Sequence, residues 1–385
     1  MDRAQTPLAG RKIAIMSWRD TGNPESGGAE NYLLKMAEGL RDQGARVTIF
    51  TAAYAGAPDR SIRDGIAYVR AGGKLSVYLR GMQQLALRRL GRLDAVIDVQ
   101  NGLPFFTRMV TRKPVIVLVH HVHREQWPVV YPGVTGKVGW WVERWLAPRL
   151  YRHCQYVAVS RATRDELIGL GVPARHIAVV HNGSEPLVTS QQVAKTDYPS
   201  ICVVGRLVPH KQVEHAVDAA LELRREFSDL RLTIVGDGWW ADELRRYVHQ
   251  RNAETFVDFT GHVTDEEREA VFARSWVKAL PSLKEGWGLV IGEAGHHRTP
   301  TVAYRHAGGT RESIRDGYSG LLVDNQPEFV AALREVLVDD ERRRALGDGA
   351  LAMSEAYTWE NTQKALGHVV ASALSGVLVA TQDEP

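Results

Sequence analysis

Pro281-Ser-Leu-Lys-Glu-Gly-Trp-Gly-Leu-Val-Ile-Gly-Glu-Ala294 sets two carboxylates, Glu285 and Glu293, on either side of a Gly-x-Gly loop. The apolar run Trp276–Leu280 leads into it, and a helix-like segment starts at Leu289. Strand, tight glycine turn and helix N-terminus in that order predict one unit of an open α/β sheet. The backbone N–H groups of Gly286, Trp287, Gly288 and Leu289 are then free to meet an anion. Two flanking carboxylates would repel a bare phosphate. They fit a mixed ligand, whose phosphate oxygens take the amides while its sugar hydroxyls donate to the carboxylates. A nucleotide sugar is such a ligand.

Working outward, 385 residues predict about two domains. A content of 44% hydrophobic and 24% charged residues is ordinary for a globular protein. The start, MDRAQTPLAGRK, is polar and has no apolar core, so no signal peptide is expected. No apolar run approaches the roughly 20 residues of a membrane-spanning helix. Cys154 and Cys202 lie far apart without metal-type spacing, and a reducing, cytoplasmic setting is expected. Charge is uneven. Residues 1–185 hold 26 basic and 15 acidic residues, a net +11, and residues 186–385 hold 22 and 30, a net −8. A basic front half attracts anionic membrane surfaces, nucleic acid or phosphorylated substrates. No nucleic-acid-binding module is recognisable, so no nucleic acid is expected as a partner.

Short β-branched runs alternate with helical patterns. In the front half the expected strands are 12–17, 46–51, 95–99, 115–120, 156–160 and 177–180. In the back half they are 200–205, 231–236, 257–260, 277–281, 301–304 and 320–323. Continuous apolar strands between helices predict parallel sheets covered on both faces, hence an α/β chain of two Rossmann-like domains. Their expected bounds are 1–185 and 186–359, joined by a linker over 185–199. The amphipathic stretch 358–380 predicts a helix from about 360 to 380 packing back onto the first domain.

Ligands of such sheets bind beyond the carboxyl ends of the strands, where most of the motifs fall. Gly27-Gly28-Ala29-Glu30 opens a helix after strand one; paired glycines allow close approach to a pyrophosphate, or simply start the helix. Gly205-Arg206-Leu-Val-Pro-His-Lys211 follows a strand, and its two cations suit a diphosphate leaving group. Val235-Gly-Asp-Gly238 reads as a structural turn. Around Val263, backbone groups could meet a base edge, and Asp265 could accept from guanine; Thr264-x-x-Glu267 is also a capping box for the next helix, which is the favoured reading. His120, His121 and His123 lack a zinc spacing, and a polar contact from His120 is expected there instead. No strand ends in an Asp-x-Asp pair, so no metal is expected. Diphosphate neutralisation falls to Arg206, Lys211 and helix amides. Two basic amphipathic segments, Tyr78–Leu93 and Gly139–Tyr151, have the composition of membrane-surface helices or of sheet-packing helices with a solvated basic face.

Together these residues resemble glycosyltransferase family 4, the retaining nucleotide-sugar enzymes of GT-B fold, also grouped as glycosyl transferases group 1. The resemblance covers nearly the whole chain: GGAEN at 27–31, VAVSRATRDEL at 157–167, VVHNGSE at 179–185, GRLVPHK at 205–211, IVGDG at 234–238, DFTGHV at 258–263, EGWGLVIGE at 285–293, AGGTRE at 307–312, GLLV at 320–323 and YTWE at 357–360. It implies two Rossmann-like domains facing each other across a deep cleft. It also implies that Arg206 and Lys211 hold the donor diphosphate, Glu293 the ribose and Glu285 the transferred sugar. The amides of Gly286 to Leu289 would bind sugar and phosphates, with Gly27 and Gly28 against the diphosphate. His120 would approach the sugar from the acceptor side, and Val263 and Asp265 would flank the base. The chain departs from the family at Gln212, where glycine is frequent, and at His296, His297 and Arg298, expected to alter the wall behind the sugar.

The resemblance implies a retaining, metal-independent transferase. It would move a sugar from a GDP- or UDP-sugar to a hydroxyl acceptor, lipid-linked or small, with no cofactor beyond the donor. The basic first domain gives it an anionic membrane surface as a candidate partner and a cytoplasmic place at the inner membrane face. An epimerase, or a silent sugar-nucleotide-binding subunit, is the alternative.

Overall fold

The computed structural model describes residues 7–184 and 193–381. The first six residues, residues 185–192 of the expected linker and the last four lie outside the described residues. Contacts divide the chain into two units, Met1–Asn182 with Trp359–Pro385, and Gly183–Thr358.

The first unit is built on β1 (Lys12–Met16), β2 (Arg46–Thr51), β3 (Arg60–Arg63), β4 (Ile66–Arg70), β5 (Ala95–Gln100), β6 (Val115–Val119), β7 (Gln155–Ala158) and β8 (Ile177–Val179). Their order is β3-β4-β2-β1-β5-β6-β7-β8. Every pairing is parallel except β3 with β4. Strands β5, β6 and β7 are buried along their whole length, as helices on both faces require. The β3–β4 hairpin departs from the all-parallel expectation. Its strand Arg-Ser-Ile-Arg has no buried face, so no apolar pattern announces it. The turn Asp64-Gly65 carried the usable clue: both residues have positive φ, 48° and 77°, as a two-residue hairpin turn demands.

The second unit is built on β9 (Ser200–Val204), β10 (Arg231–Val235), β11 (Val257–Gly261), β12 (Val277–Leu280), β13 (Thr301–Tyr304) and β14 (Gly320–Val323). The order is β11-β10-β9-β12-β13-β14, all parallel. One face packs the helices Val213–Leu223, Ala241–Gln250 and Gln326–Val338 around Leu232, Ile234, Val302 and Phe329. The other face lies under the helices Asp265–Arg274 and Leu289–His296. Strand order reverses at β1/β5 in the first sheet and at β9/β12 in the second. At such a switch point the loops leaving adjacent strands part in opposite directions and leave a crevice.

Three segments differ from expectation. The helix Trp359–Leu374 docks on the helix Gly28–Asp42, where Gln363 donates to the Lys35 carbonyl at 2.8 Å and Gln43 donates to the Gln363 carbonyl at 2.9 Å. It stops at Leu374, short of 380; the tail beyond it returns to the sheet edge, where Gln155 of β7 exchanges two hydrogen bonds with Val379 and Val179 N–H of β8 donates to Thr381 Oγ1. Residues 193–199 pack into the second unit. Lys195 Nζ donates to the carbonyls of Ser275 at 2.8 Å and His297 at 3.2 Å and to Thr299 Oγ1 at 2.5 Å. The segment 78–93 is helical only over Ser76–Ala86 and breaks at Arg88, whose φ is 51°.

Candidate active site

The loops after β9 and β12 lie together at the switch point of the second sheet. The first begins at Gly205, whose N–H donates to Val235, while Leu207 N–H donates to Asp237. Gly236 and Gly238 press against the carbonyls of Gly205 and Leu207, where a Cβ would collide. The 235–238 turn is therefore a brace, as its sequence predicted. Arg206 is exposed. Lys211 ends the short turn Pro209–Lys211, and Gln212 follows with φ 48°, a left-handed backbone that explains why glycine suits this position.

The second loop is fastened on both sides. Leu283 N–H donates to His210, Glu285 N–H donates to Ala307 at 2.7 Å, and Gly309 N–H donates back to Glu285 at 3.0 Å. Ser313 Oγ donates to the Trp287 carbonyl at 2.8 Å, and the buried Trp287 ring meets Tyr357 edge-on. Gly288, at φ 90°, turns the chain into the helix that starts at Leu289. Gly309 has no room for a side chain because its neighbour is the Gly286 carbonyl. Gly309→Ala is expected to displace Gly286–Gly288 and weaken donor binding at least tenfold, about 1.4 kcal/mol, measurable by calorimetry with a nucleotide sugar.

Expectation gave Lys211 and Glu285 separate tasks. The structure brings them together: Lys211 Nζ donates to Glu285 Oε1 at 2.5 Å. Burial pushes the Glu285 carboxyl up, but the Lys211 charge and hydrogen bond, the Ser282 hydroxyl and Lys278 outweigh it and hold it below its ordinary value. Glu285 is thus an anion at neutral pH, paired with the Lys211 cation.

Glu293 lies on the helix Leu289–His296, and Arg268 Nε stands 3.3 Å from its Oε2. The same guanidinium reaches Asp265 Oδ1 at 2.7 Å. Arg268, absent from the sequence reading, therefore links two expected donor-binding residues. Only its position one helical turn after Asp265 could have signalled it. The capping reading of this segment is what the structure shows: Thr264 Oγ1 accepts from Glu267 N–H, and Glu267 Oε2 accepts from Thr264 N–H. Val263 is half-buried against Cys202, Val204 and Phe272.

In the first unit, the loop after β1 is anchored by Asp20. Its carboxylate accepts from Arg70 Nε at 2.7 Å, Tyr54 Oη at 3.1 Å, Thr51 Oγ1 at 3.2 Å and Gly22 N–H at 2.9 Å. Glu30 reaches back to Gly27 N–H at 2.7 Å and faces Arg19 Nε at 3.3 Å, which fixes the Gly27–Gly28 helix start. His120, at the end of β6, is buried and meets the Tyr32 ring edge-on at 5.0 Å. Burial, helped by nearby His123, pushes its pKa down to about 4, so it is neutral at pH 7. Its Nε2 has no hydrogen-bond partner among the described residues. His123 is held by Glu143 at 3.1 Å and Asn101 at 2.8 Å, and His121 meets Gln126 at 3.2 Å. Among the described residues, no three His, Cys, Asp or Glu side chains gather into a metal-holding group.

The expected influence of His296–Arg298 on the sugar wall is not what their contacts show. His296 bonds Ser184 Oγ at 2.9 Å, His297 stacks on Phe272, and Arg298 pairs with Asp348. They fasten the far end of the helix Leu289–His296 to its surroundings.

The family description "Glycosyl transferases group 1" matches residues 187–353, and "Glycosyltransferase Family 4" matches residues 26–186. The alpha-D-kanosaminyltransferase of Streptomyces kanamyceticus is 25% identical over 76% of this chain and 80% of its own length. The D-inositol 3-phosphate glycosyltransferase of a Nocardioides species is 26% identical over 92% and 88%. Among solved structures, the sucrose-phosphate synthase of Thermosynechococcus elongatus superposes with a TM-score of 0.79, covering 95% of this chain and all of that one at 18% identity. With the two switch-point sheets and the ordered motifs between them, the chain belongs to the family 4, group 1 glycosyltransferases of GT-B fold.

Proposed function

We propose that the chain transfers a sugar from a nucleotide-diphosphate donor to a hydroxyl acceptor with retention of configuration and without a metal. The observation that carries this reading is the Lys211–Glu285 pair beside the fastened glycine loop at a sheet switch point. A diphosphate exchanges places with Glu285 as the partner of Lys211, and the released carboxylate accepts from sugar hydroxyls. Arg206, Lys211 and the loop amides stabilise the growing charge of the leaving group. A diphosphate oxygen takes the acceptor proton, so no protein nucleophile is required. Glu293 takes the ribose, competing with Arg268. Neutral, buried His120 is assigned to the acceptor. A thermal-shift panel of nucleotides and nucleotide sugars tests the donor. Saturation at 100 times Kd raises stability by about 2.7 kcal/mol. Glu293→Ala is expected to reduce the shift, whereas a flat panel would reject the reading.

For the acceptor we propose a lipid-linked or phosphorylated alcohol taken at an anionic membrane face on the cytoplasmic side. The helix Val134–Trp141 continues through a wider π turn, Val142–Leu146. This turn sends Glu143 inward to Trp127 Nε1 at 2.7 Å and leaves Trp141 and Trp145 54% and 49% exposed. Lys137, Arg144 and Arg149 are exposed beside them, and Arg149 stacks on Trp145. A sheet-packing helix would bury those rings. Exposed indoles beside cations suit the headgroup layer of a bilayer. Among the described residues no helix is long and apolar enough to cross a membrane. Co-sedimentation with vesicles containing phosphatidylserine should be salt-sensitive and fall about tenfold or more in Trp141→Ser/Trp145→Ser. Equal binding by the variant would refute this face.

A further inference from the structure

Lys278 sits in the middle of β12 with no solvent exposure, and its Nζ has no hydrogen-bond partner among the described residues. A buried amino group without a partner is unfavourable and needs a reason. Its strand neighbours Val277 and Ala279 belong to the core under the helices Val213–Leu223 and Gln326–Val338. By strand alternation Lys278 projects to the other face, beneath the helix that carries Glu293. In register with it are Cys202 of β9 and Thr301 of β13, and the Thr301 hydroxyl is likewise buried without a partner. β12 then runs directly into the loop that carries Glu285.

We propose that Lys278 is a positioning residue, the counter-charge that keeps Glu285 ionised and in place when the donor diphosphate draws Lys211 away. The proposal rests on the donor-site reading above. The Glu285 carboxylate accepts from Lys211 Nζ at 2.5 Å. Once Lys211 turns to the diphosphate, a carboxylate that is 9% exposed loses its nearest cation. Without another it would take up a proton, and a neutral carboxyl, one of whose oxygens has become a donor, is a weaker acceptor for the sugar hydroxyls. The groups that act on Lys278 are Cys202, Glu285, Glu293 and Lys211; Lys195 acts on Cys202 as well. Burial pushes the Lys278 pKa down to about 8, with Cys202, Glu285 and Glu293 opposing and Lys211 assisting, which leaves the amine charged at neutral pH. Departure of Lys211 removes the like charge and favours the ammonium further.

Lys278→Met keeps the length of the side chain and removes the charge. It is expected to fold, to bind UDP or GDP within about threefold of wild type, and to lower kcat about 10–100-fold while the acid limb of the kcat profile moves up by about one pH unit. Lys278→Arg should restore part of kcat and return the limb. An unmoved acid limb in a folded Lys278→Met protein, or loss of diphosphate affinity in step with kcat, overturns the proposal. Should the variants not fold, calorimetry of wild-type protein decides, using UDP and GDP near pH 6 in two buffers of different ionisation enthalpy. The proposal predicts no proton uptake belonging to Glu285, and uptake of a proton that vanishes in Glu285→Gln contradicts it. Wild-type protein that binds neither nucleotide overturns the donor site itself, and this proposal with it.

Discussion

Lys211→Ala is expected to lower kcat about 10²–10³-fold, the size seen when one donor to a developing charge is removed. Its second effect is on stability. Glu285 then stays buried without the ion pair that offsets its desolvation, a loss of about 1–3 kcal/mol. The two effects separate by pH. In the wild type the depressed Glu285 pKa contributes stability above the ordinary value of 4.5, and that stability is lost as pH falls through the folded-state value. In the variant burial acts with less opposition and the carboxyl titrates higher. The stability deficit therefore opens as pH rises through the wild-type folded value, below 4.5, grows toward the variant's higher value, and closes only below the former. Denaturant unfolding at pH 4 and pH 7 measures this. Lys211→Met/Glu285→Gln should recover most of the stability at pH 7 and none of the activity. A deficit equal at both pH values would show that the pair does not control the carboxyl.

Asp20→Ala should destabilise the first unit by about 3–5 kcal/mol, the usual effect of removing one partner of a buried ion pair. Arg70 is fully buried, and its other contacts, the Pro58 carbonyl and Ser61 hydroxyl, cannot replace the carboxylate. Asp20 also gathers Thr51, Tyr54 and Gly22, so the loop between β1 and Gly27 loses its anchor. A unit of about 200 residues shifts its midpoint by roughly 2–4 °C per kcal/mol, so a fall of about 6–20 °C is expected in thermal unfolding. Asp20→Asn should be milder, since it keeps acceptors for Tyr54 and Gly22. A shift of less than 2 °C would mean that the pair is not the anchor described.

Much of this was legible in the sequence because buried parallel strands declare themselves as apolar runs. β2, β13 and β14 fall where their residues predict, and the other predicted strands differ by a residue or two at their ends. The hairpin Arg60–Arg70 was legible only in its Asp64-Gly65 turn, because its edge strand faces water and carries charge. The donor loop was readable because glycine spacing reports backbone needs, as Gly288 and Gly309 show. Ion pairs formed between elements were not. Nothing in the local sequence says that Lys211 meets Glu285, that Arg268 reaches Glu293, or that Asp20 reaches Arg70. The exposed indoles needed the π turn, which shifts the helical phase after Trp141 and sends Glu143 inward.

Lys211 and its neighbours are proposed to drive departure of a nucleoside diphosphate from a sugar. Release of UDP and GDP from a panel of their sugars, with a simple alcohol or lipid-linked acceptor present, measures that step for wild type and Lys211→Met. Wild type is expected to release diphosphate from at least one donor, and the variant about 100-fold more slowly. Equal rates for the two proteins, or no release from any donor by wild type, would contradict it.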